Sequence, residues 1–251
     1  MSGFDRWVGK VAVVTGASAG IGADIAKQLV EKGLRVVGLA RRKEVVEDLN
    51  KSLKKAPGKL YALKCDMSIE EDIVAAFRWI KTNLGAVHIL INNAGIIQDT
   101  TLIDGDSDKW RKILDVNVLG LQIATREAMT SMKANKVDGH IIHINSDAGH
   151  RHVFFPKINM YTASKFAVTA LTETLRHEIN ANKLRIKVTS VSPGVTKTEI
   201  GVNNGFAQEV SAGMPALNPD DITEAVIYAL STKPHVQIHE IMVLPLGGTF
   251  T

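Results

Sequence analysis

The sequence predicts an α/β fold in which a parallel sheet of seven strands is covered by helices on both faces. Three observations predict it. Short runs rich in Val and Ile alternate with longer segments of helical periodicity, and strands buried on both faces read as apolar runs of this kind. A glycine-rich turn, Thr15-Gly16-Ala17-Ser18-Ala19-Gly20-Ile21-Gly22, joins the first run to the first helical segment. Polar or glycine-containing loops follow the strands at 16–20, 41–42, 66–67, 93–95, 146–149 and 193–198, the end of an open parallel sheet where ligands bind.

The strands are expected over 10–15, 35–40, 60–66, 88–93, 140–146, 185–192 and 238–245. The best marked helices run over 20–32, 69–83, 117–134, 162–180 and 220–230, the last opening behind Pro219 with Asp220 and Asp221, a favourable N-terminal pattern. No Pro/Ser-rich linker, charge block or repeat divides the chain, so 1–251 is expected to be a single Rossmann-type, doubly wound domain. The stretch 199–218 is rich in Gly and Asn and poorly periodic. It is the expected substrate lid.

Bulk properties narrow the function classes. The formal charge is +4, with Lys and Arg interleaved with acids, which predicts a solvated surface and no nucleic-acid partner. Cys65 is the only cysteine, which excludes an intrachain disulfide or a cysteine-based zinc site and suits a reducing compartment. With no apolar stretch long enough to span a bilayer and no secretory pattern at the N-terminus, the expected location is cytoplasmic.

Glycine at 16, 20 and 22 allows a sharp turn and close approach of backbone to a pyrophosphate at a helix N-terminus, whose free N–H groups face the anion. Packing alone can also place glycines in such a turn. At the end of the second strand, where NAD-binding folds place an acid for the ribose hydroxyls, the chain has Ala40-Arg41-Arg42. A guanidinium there holds a 2′-phosphate through charge-assisted hydrogen bonds, which points to NADP(H). The alternative is a solvent-facing arginine pair.

Tyr161-Thr162-Ala163-Ser164-Lys165 sets a phenol and an ammonium four residues apart, neighbours on one helix face. A phenol with a reference pKa of about 10 needs roughly 4 kcal/mol to act as a base near neutrality. One positive charge at about 4 Å in an effective dielectric of about 20 supplies that much, so Lys165 is expected to lower the pKa of Tyr161. Four-residue spacings of Tyr and Lys are common by chance, and the pair gains weight from its company.

The residues Thr15 to Gly22, Asp66, Asn92-Asn93-Ala94-Gly95, Asn117, Asn145-Ser146, Tyr161 with Lys165, and Pro193-Gly194, in this order, resemble the short-chain dehydrogenase/reductase family of single-domain type, over 9–247. Asp5-Arg6-Trp7, Cys65-Asp66, Gly139-His140-Ile141-Ile142 and Gly149-His150-Arg151 are similar to its dehydrogenase/reductase member-eleven group, which includes vertebrate steroid and carbonyl reductases and insect farnesol dehydrogenases. The resemblance implies that Tyr161 exchanges a proton with the substrate oxygen, that Ser146 hydrogen-bonds that oxygen, and that Lys165 also holds the nicotinamide ribose. It implies that Asn117 holds a water in the proton relay. For the cofactor it implies Gly16, Ser18, Gly20, Ile21 and Gly22 at the pyrophosphate, Arg41 and Arg42 at the 2′-phosphate, Asp66 at the adenine, Asn93, Ala94 and Gly95 along the adenosine, and Pro193, Val195 and Thr198 at the nicotinamide.

Two departures matter. The turn carries Ser18-Ala19 where many NADP-preferring members have a basic residue, so phosphate recognition leans on Arg41 and on Arg42 with Ser18. Ser146 and Tyr161 stand fifteen residues apart, a wider spacing than in many members, so the loop over 150–160 is expected to bulge over the substrate.

His140 and His143 differ by an odd number and face opposite sides of their strand, so no metal site is expected among His140, His143, His150 and His152. His150 and His152 are candidates for substrate contact or for the loop surface. Ser164 is expected to pack its helix, since no base is placed to activate it. Phe154, Phe155, Ile158 and Met160 on one loop, and Val195, Ile200, Val202, Phe206 and Met214 on the other, suit a medium-sized apolar alcohol or carbonyl such as a terpenoid alcohol or steroid. Two rival readings share the fold: a non-catalytic NADP(H)-binding sensor or scaffold, which need not keep Asn117, Ser146, Tyr161 and Lys165, and a nucleotide-sugar epimerase, which is expected to need a longer chain. By analogy, a homodimer or homotetramer is expected through the helices over 117–134 and 162–180, where Ala163, Ala167 and Ala170 allow close approach.

Overall fold

The structure is a computed structural model that describes residues 3–152, 159–200 and 214–247. Within these residues seven strands, β1 (Val11–Thr15), β2 (Arg35–Ala40), β3 (Lys59–Lys64), β4 (Val87–Asn92), β5 (His140–Ile144), β6 (Lys187–Pro193) and β7 (Glu240–Val243), form one sheet in the order β3-β2-β1-β4-β5-β6-β7. Every pairing is parallel. The order reverses between β1 and β4, so the crossovers leaving these strands part there and open a crevice at their carboxyl ends.

The helices are α1 (Gly20–Glu31), α2 (Lys43–Ser52), α3 (Glu70–Asn83), α4 (Ser107–Leu114), α5 (Leu121–Ala134), α6 (Asn159–Ala181) and α7 (Pro219–Ser231). Alternation along the strands divides the core into two layers. Ala12, Val14, Val36, Ile89, Ile91, Ile142 and Ile144 pack with residues of α1, α2 and α7. Val11, Val13, Val37, Leu90, Ile141 and Val188 pack with residues of α3, α5 and α6 on the other face. All five residues of β1 are buried, as expected for a central strand covered twice. None of the helices among the described residues is long and apolar enough to cross a membrane.

The helical turn at the start has a structural task. In the helical turn Asp5–Trp7, Arg6 donates to the Thr232 and Leu230 carbonyls at 2.6 and 3.0 Å, and the Trp7 indole donates to Leu230 at 2.9 Å. These groups satisfy carbonyls left over at the end of α7, which a helix cannot satisfy by itself.

One expected boundary needs correction. Asn117 does not open the long helix of 117–134; the helical path begins ten residues earlier, at Ser107, where Asp106 accepts the Asp108 N–H at 2.8 Å as an N-cap. The turn Ser107–Leu114 presents Lys109, Arg111 and Lys112 and buries only Ile113, so its apolar period is faint in the sequence. Between α4 and α5, residues Asp115–Gly120 form a π-helical segment, a wide turn that recurs at functional sites. Gly120 is required in it, because a Cβ would stand 2.0 Å from the Met67 carbonyl oxygen.

Candidate active site

The site is assembled first by backbone at the switch point. Thr15 ends β1 with its hydroxyl buried, and that oxygen accepts the N–H groups of both Asn93 and Ala94 at 3.0 Å. Asn93 returns its side-chain amide to the Thr15 and Gly16 carbonyls at 2.9 and 3.3 Å. The loops after β1 and β4 are thereby stitched together. Sequence reasoning gave Thr15 no role; its signal was a polar residue closing a buried apolar strand.

The glycines are explained separately. Gly16 has φ +69° and Gly20 has φ +53°, values that favour glycine. Gly22 is buried behind the turn and does not line the cleft. A Cβ there would stand 2.3 Å from Asn93 Nδ2 and 2.4 Å from the Gly16 oxygen, so Asn93, and not the approach of a ligand, requires glycine at 22. Gly95 is open by comparison, with its nearest neighbour, Asn117 Oδ1, 3.5 Å from a Cβ.

A cleft of about 1560 Å³ runs over this turn. Gly16, Ser18, Gly20, Ile21, Arg41, Arg42 and Asp66 line one end, with Asn93, Ala94 and Gly95 along its middle. Ser146, Tyr161, Lys165, Pro193 and Val195 line the other, while Thr198, also in the lining, stands against Gly20, its Cγ2 3.0 Å from where a Cβ there would be. The fit to a dinucleotide is local and testable: α1 begins after Ala19 with no side-chain cap and no acid in its first turn, which leaves first-turn N–H groups for an anion. A side chain at Gly16 would collide with Ala94 Cα at 2.9 Å.

At the basic end, Arg42 pairs with Glu199 at 2.7 Å and reaches Ser18 Oγ at 3.4 Å. Glu199 is a further residue the sequence did not single out. Burial opposes ionisation of Asp66, yet hydrogen bonds from the Ser68 N–H and hydroxyl, with the charges of Arg41 and Lys112, hold its carboxyl below the usual value.

At the other end, α6 carries Tyr161 and Lys165 one turn apart. Lys165 Nζ donates to the Ile144 carbonyl at 2.9 Å and lies 5.6 Å from the centroid of the Tyr161 ring. Burial lowers the ammonium to about 8. Burial pushes the Tyr161 phenol up to about 12, against a hydrogen bond from Ser146 that lowers it, and the charge of Asp147 raises it further. The ammonium addresses the Ile144 carbonyl and the ring face, and the charge that shifts the phenol in this arrangement is that of Asp147.

Ser146 ends the strand segment in extended backbone and starts the turn Asp147–Gly149. Its hydroxyl accepts the Ala148 N–H and approaches Asp147 Oδ1, each at 3.1 Å. Asn117, from the π segment, is buried. Its amide donates to the Ile96 carbonyl and to Ser164 Oγ at 3.0 Å and its oxygen accepts the Ile96 N–H at 2.8 Å. Ser164 donates in turn to the Tyr161 carbonyl at 2.6 Å. Asn117 thus fixes the loop after β4 to the helix that carries Tyr161.

His150 turns away from the cleft to Ser192 and Glu240, at 3.0 and 3.3 Å, and His152 is exposed. His140 bonds Thr189 on β6 and His143 bonds Thr172 on α6, each at 2.8 Å; burial lowers both imidazoles, His143 to about 3. Among the described residues no group of three or more His, Cys, Asp or Glu side chains is placed to hold a metal ion. Of the expected substrate contacts, Val195 and Ile200 line the cleft and Met160 and Met214 do not. Phe154, Phe155, Ile158, Val202 and Phe206, with 201–213 of the expected lid and 153–158 of the expected bulge, lie outside the described residues.

Comparison with known proteins extends the geometry. Residues 10–208 match the family model of short chain dehydrogenase. The chain is 50% identical to farnesol dehydrogenase of Aedes aegypti, over 98% of this chain and 100% of that protein. It is 45% identical to dehydrogenase/reductase SDR family member 11 of Bos taurus, over 96% of this chain and 98% of that one. Among solved structures it is similar to a metagenomic short-chain oxidoreductase in complex with NADP, with TM-score 0.80 and 30% identity over 95% of this chain and 98% of that chain.

Proposed function

The chain belongs to the short-chain dehydrogenase family, and from that premise we propose that it is an NADP(H)-dependent oxidoreductase interconverting an alcohol and a carbonyl on a medium-sized apolar substrate. The observation that carries the reading is the cleft itself, which joins Arg41 and Arg42 at one end to Ser146, Tyr161 and Lys165 at the other. The bound nicotinamide supplies or accepts the hydride.

The chain's own residues supply the rest. Tyr161, protonated near neutrality, gives its proton to the oxygen of a carbonyl as that oxygen gains charge. Ser146 hydrogen-bonds the same oxygen and stabilises the charge that develops. Lys165, held at the Ile144 carbonyl, would hold the nicotinamide ribose. Asn117 keeps the loop after β4 and the Tyr161 helix in fixed relation. Uncapped N–H groups at Gly20 and Ile21 take the pyrophosphate. Arg41 and Arg42 take the 2′-phosphate, for which a fork of N–H donors is suited. The NADP found with a relative of the same fold supports this choice.

For the substrate, Ile96, Ile97, Ile144, Ala148, Val195 and Ile200 give the cleft apolar walls around one polar end. A 50% identical relative is a farnesol dehydrogenase. A terpenoid alcohol such as farnesol, a steroid or another lipophilic carbonyl fits that description. Cytoplasmic location belongs to the same reading, since the one cysteine, Cys65, is a buried free thiol. So does homodimer or homotetramer formation, for which α6 presents exposed Ala163, Phe166 and Ala170; sedimentation velocity tests it.

The test of function is nicotinamide absorbance with NADPH and NADH, in both directions, over terpenoid alcohols, steroids, dicarbonyls and polar hydroxy acids. The expected result is turnover of apolar substrates with NADP(H). Preference for sugars or hydroxy acids would overturn the substrate class, and wild-type turnover by Tyr161→Phe would overturn the chemistry.

A further inference from the structure

Lys and Arg alternate with acids along the chain, but the fold separates them in space. Acids open helices at the cleft end, with Glu70, Glu71 and Asp72 in the first turn of α3 and Asp220 and Asp221 in that of α7. Cations gather at the other end of the sheet, where the strands begin. In strand order the row is Lys59, Arg35, Lys10, Lys136, Arg185 and Lys183, all exposed except the half-buried Arg35. Contacts tie the row together. Arg35 is the register partner of Lys59, and its Nε donates to the Gly9 carbonyl, beside Lys10, at 3.0 Å. Lys10 and Lys136 line one hollow of about 320 Å³ with Trp7 and His88. Asp138 interrupts the row and is taken up by Arg185 at 2.9 Å. From β3 to β6 the row spans about 24 Å at the usual spacing of strands.

Cations at helix ends answer the helix dipole, and that accounts for Lys133 in the last turn of α5. It does not account for the row. Lys10, Arg35 and Lys59 stand where strands begin, and strands carry only small net dipoles. Lys136 and Lys183 follow α5 and α6 with φ of +52° and +54°, the left-handed position that favours glycine at a helix end. After α1 and α3 that position holds Gly33 and Gly85, at +88° and +86°. After α5 and α6 it holds lysine, against the preference of the backbone. Charge is what these two side chains add.

We propose that this face docks the protein on an anionic bilayer surface. Charge complementarity carries the choice of partner. Lysine is a compact, strongly hydrated charge that needs no fixed geometry in what it meets, and lysines near an anionic leaflet are drawn to it one by one. A single-stranded nucleic acid asks in addition for aromatic platforms, and Trp7, the aromatic of the hollow, is buried. The choice of lipid also rests on the apolar substrate proposed above, which partitions into bilayers. The cleft opens at the carboxyl ends of the strands, so a docked molecule presents it to the solution from which the dinucleotide arrives.

The experiment floats the full chain with vesicles of phosphatidylcholine alone and with about 30% phosphatidylserine, the anionic lipid, and measures duplex DNA binding beside them. The expected result is binding to the anionic vesicles only, weakening as salt rises. Lys136→Gly combined with Lys183→Gly is expected to weaken it about 10-fold to 30-fold, the worth of two charges near such a surface. The thermal midpoint of that variant holds or rises, because glycine suits both positions, and turnover in free solution is unchanged, because neither residue lines the cleft. Lys64→Gln combined with Arg111→Gln removes as much charge at the cleft end and is expected to leave vesicle binding as in wild type. Equal losses in the two pairs would show a response to net charge alone and overturn the inference. So would wild-type binding by the glycine pair, or a wild type that binds duplex DNA or nothing and leaves anionic vesicles alone. If the glycine pair does not fold, Lys10→Gln combined with Lys59→Gln decides by the same comparison. Docking is read without turnover, so its failure and that of the substrate reading are distinguishable.

Discussion

Lys165 spans from α6 to the end of β5 and donates its ammonium to the Ile144 carbonyl at 2.9 Å. A buried cation with one carbonyl partner is held at a cost, which is why it titrates near 8 where an unfolded lysine titrates near about 10.4.

The sign of the resulting pH dependence is fixed. Between about pH 8 and about pH 10 the unfolded chain holds a proton at this lysine that the folded chain has released, so stability rises with pH by up to about 1.4 kcal/mol per unit. Lys187, lowered to about 8 by burial and by Arg6, adds in the same direction. Above about pH 10 the Tyr161 phenol, held up near 12, reverses the trend. Thermal melts of wild type and Lys165→Met across this range are expected to differ in slope, with the rise reduced in the variant. Equal slopes would mean that Lys165 is not buried as a charge.

On the acid side the buried histidines act oppositely. His140 and His143 stay neutral in the fold, His143 down to about 3, while the unfolded chain protonates them below about 6.5. Stability is expected to fall as pH drops from 6.5, and His143→Gln is expected to flatten part of that fall. Denaturant midpoints at neutral and acid pH measure it.

Thr15→Val tests the stitch at the switch point. Losing the hydroxyl leaves the Asn93 and Ala94 N–H groups without their acceptor, for an expected cost of about 1–3 kcal/mol. NADPH affinity falls with it. Unchanged stability in chemical denaturation would remove Thr15 from the account.

Gly22→Ala and Gly95→Ala separate packing from ligand contact. The first forces a Cβ to within 2.3 Å of Asn93 Nδ2 and is expected to cost about 1–3 kcal/mol of stability, as overpacking does. The second meets only ordinary contacts and is expected to leave stability unchanged while weakening NADPH binding, because Gly95 lines the cleft. Calorimetry with titration distinguishes the two.

Cofactor choice is carried by the arginines. Arg41→Ala and Arg42→Ala are each expected to raise the NADPH Kd by about 10-fold to 100-fold, the worth of a charge-assisted hydrogen bond, and to leave NADH unchanged. Glu199→Gln is expected to tighten NADPH several-fold, since Glu199 occupies Arg42; the effect is small because exposed pairs contribute at most about 1 kcal/mol. Equal losses for both cofactors would argue against a phosphate site.

What the sequence disclosed follows from range. Strands buried on both faces advertise themselves through runs such as Val11-Ala12-Val13-Val14, and the odd separation of His140 and His143 was enough to send them to different partners. The glycine turn and the Tyr161 and Lys165 pair are local patterns, and they line one cleft. The charged turn Ser107–Leu114 was faint because its buried face is a single isoleucine. The Thr15 bond to Asn93 was invisible for another reason, since it joins residues 78 apart whose meeting depends on the strand order. The Lys165 bond to the Ile144 carbonyl was out of reach for the same reason, since it needs the helix and the strand placed together.

The bonds from Arg6 and Trp7 to the end of α7 also set a schedule. During synthesis the first turn emerges from the ribosome long before residues 230 and 232 exist to receive it. The bonds from Arg6 and Trp7 therefore close only late in synthesis, and a fusion partner placed ahead of Asp5 must leave that docking free.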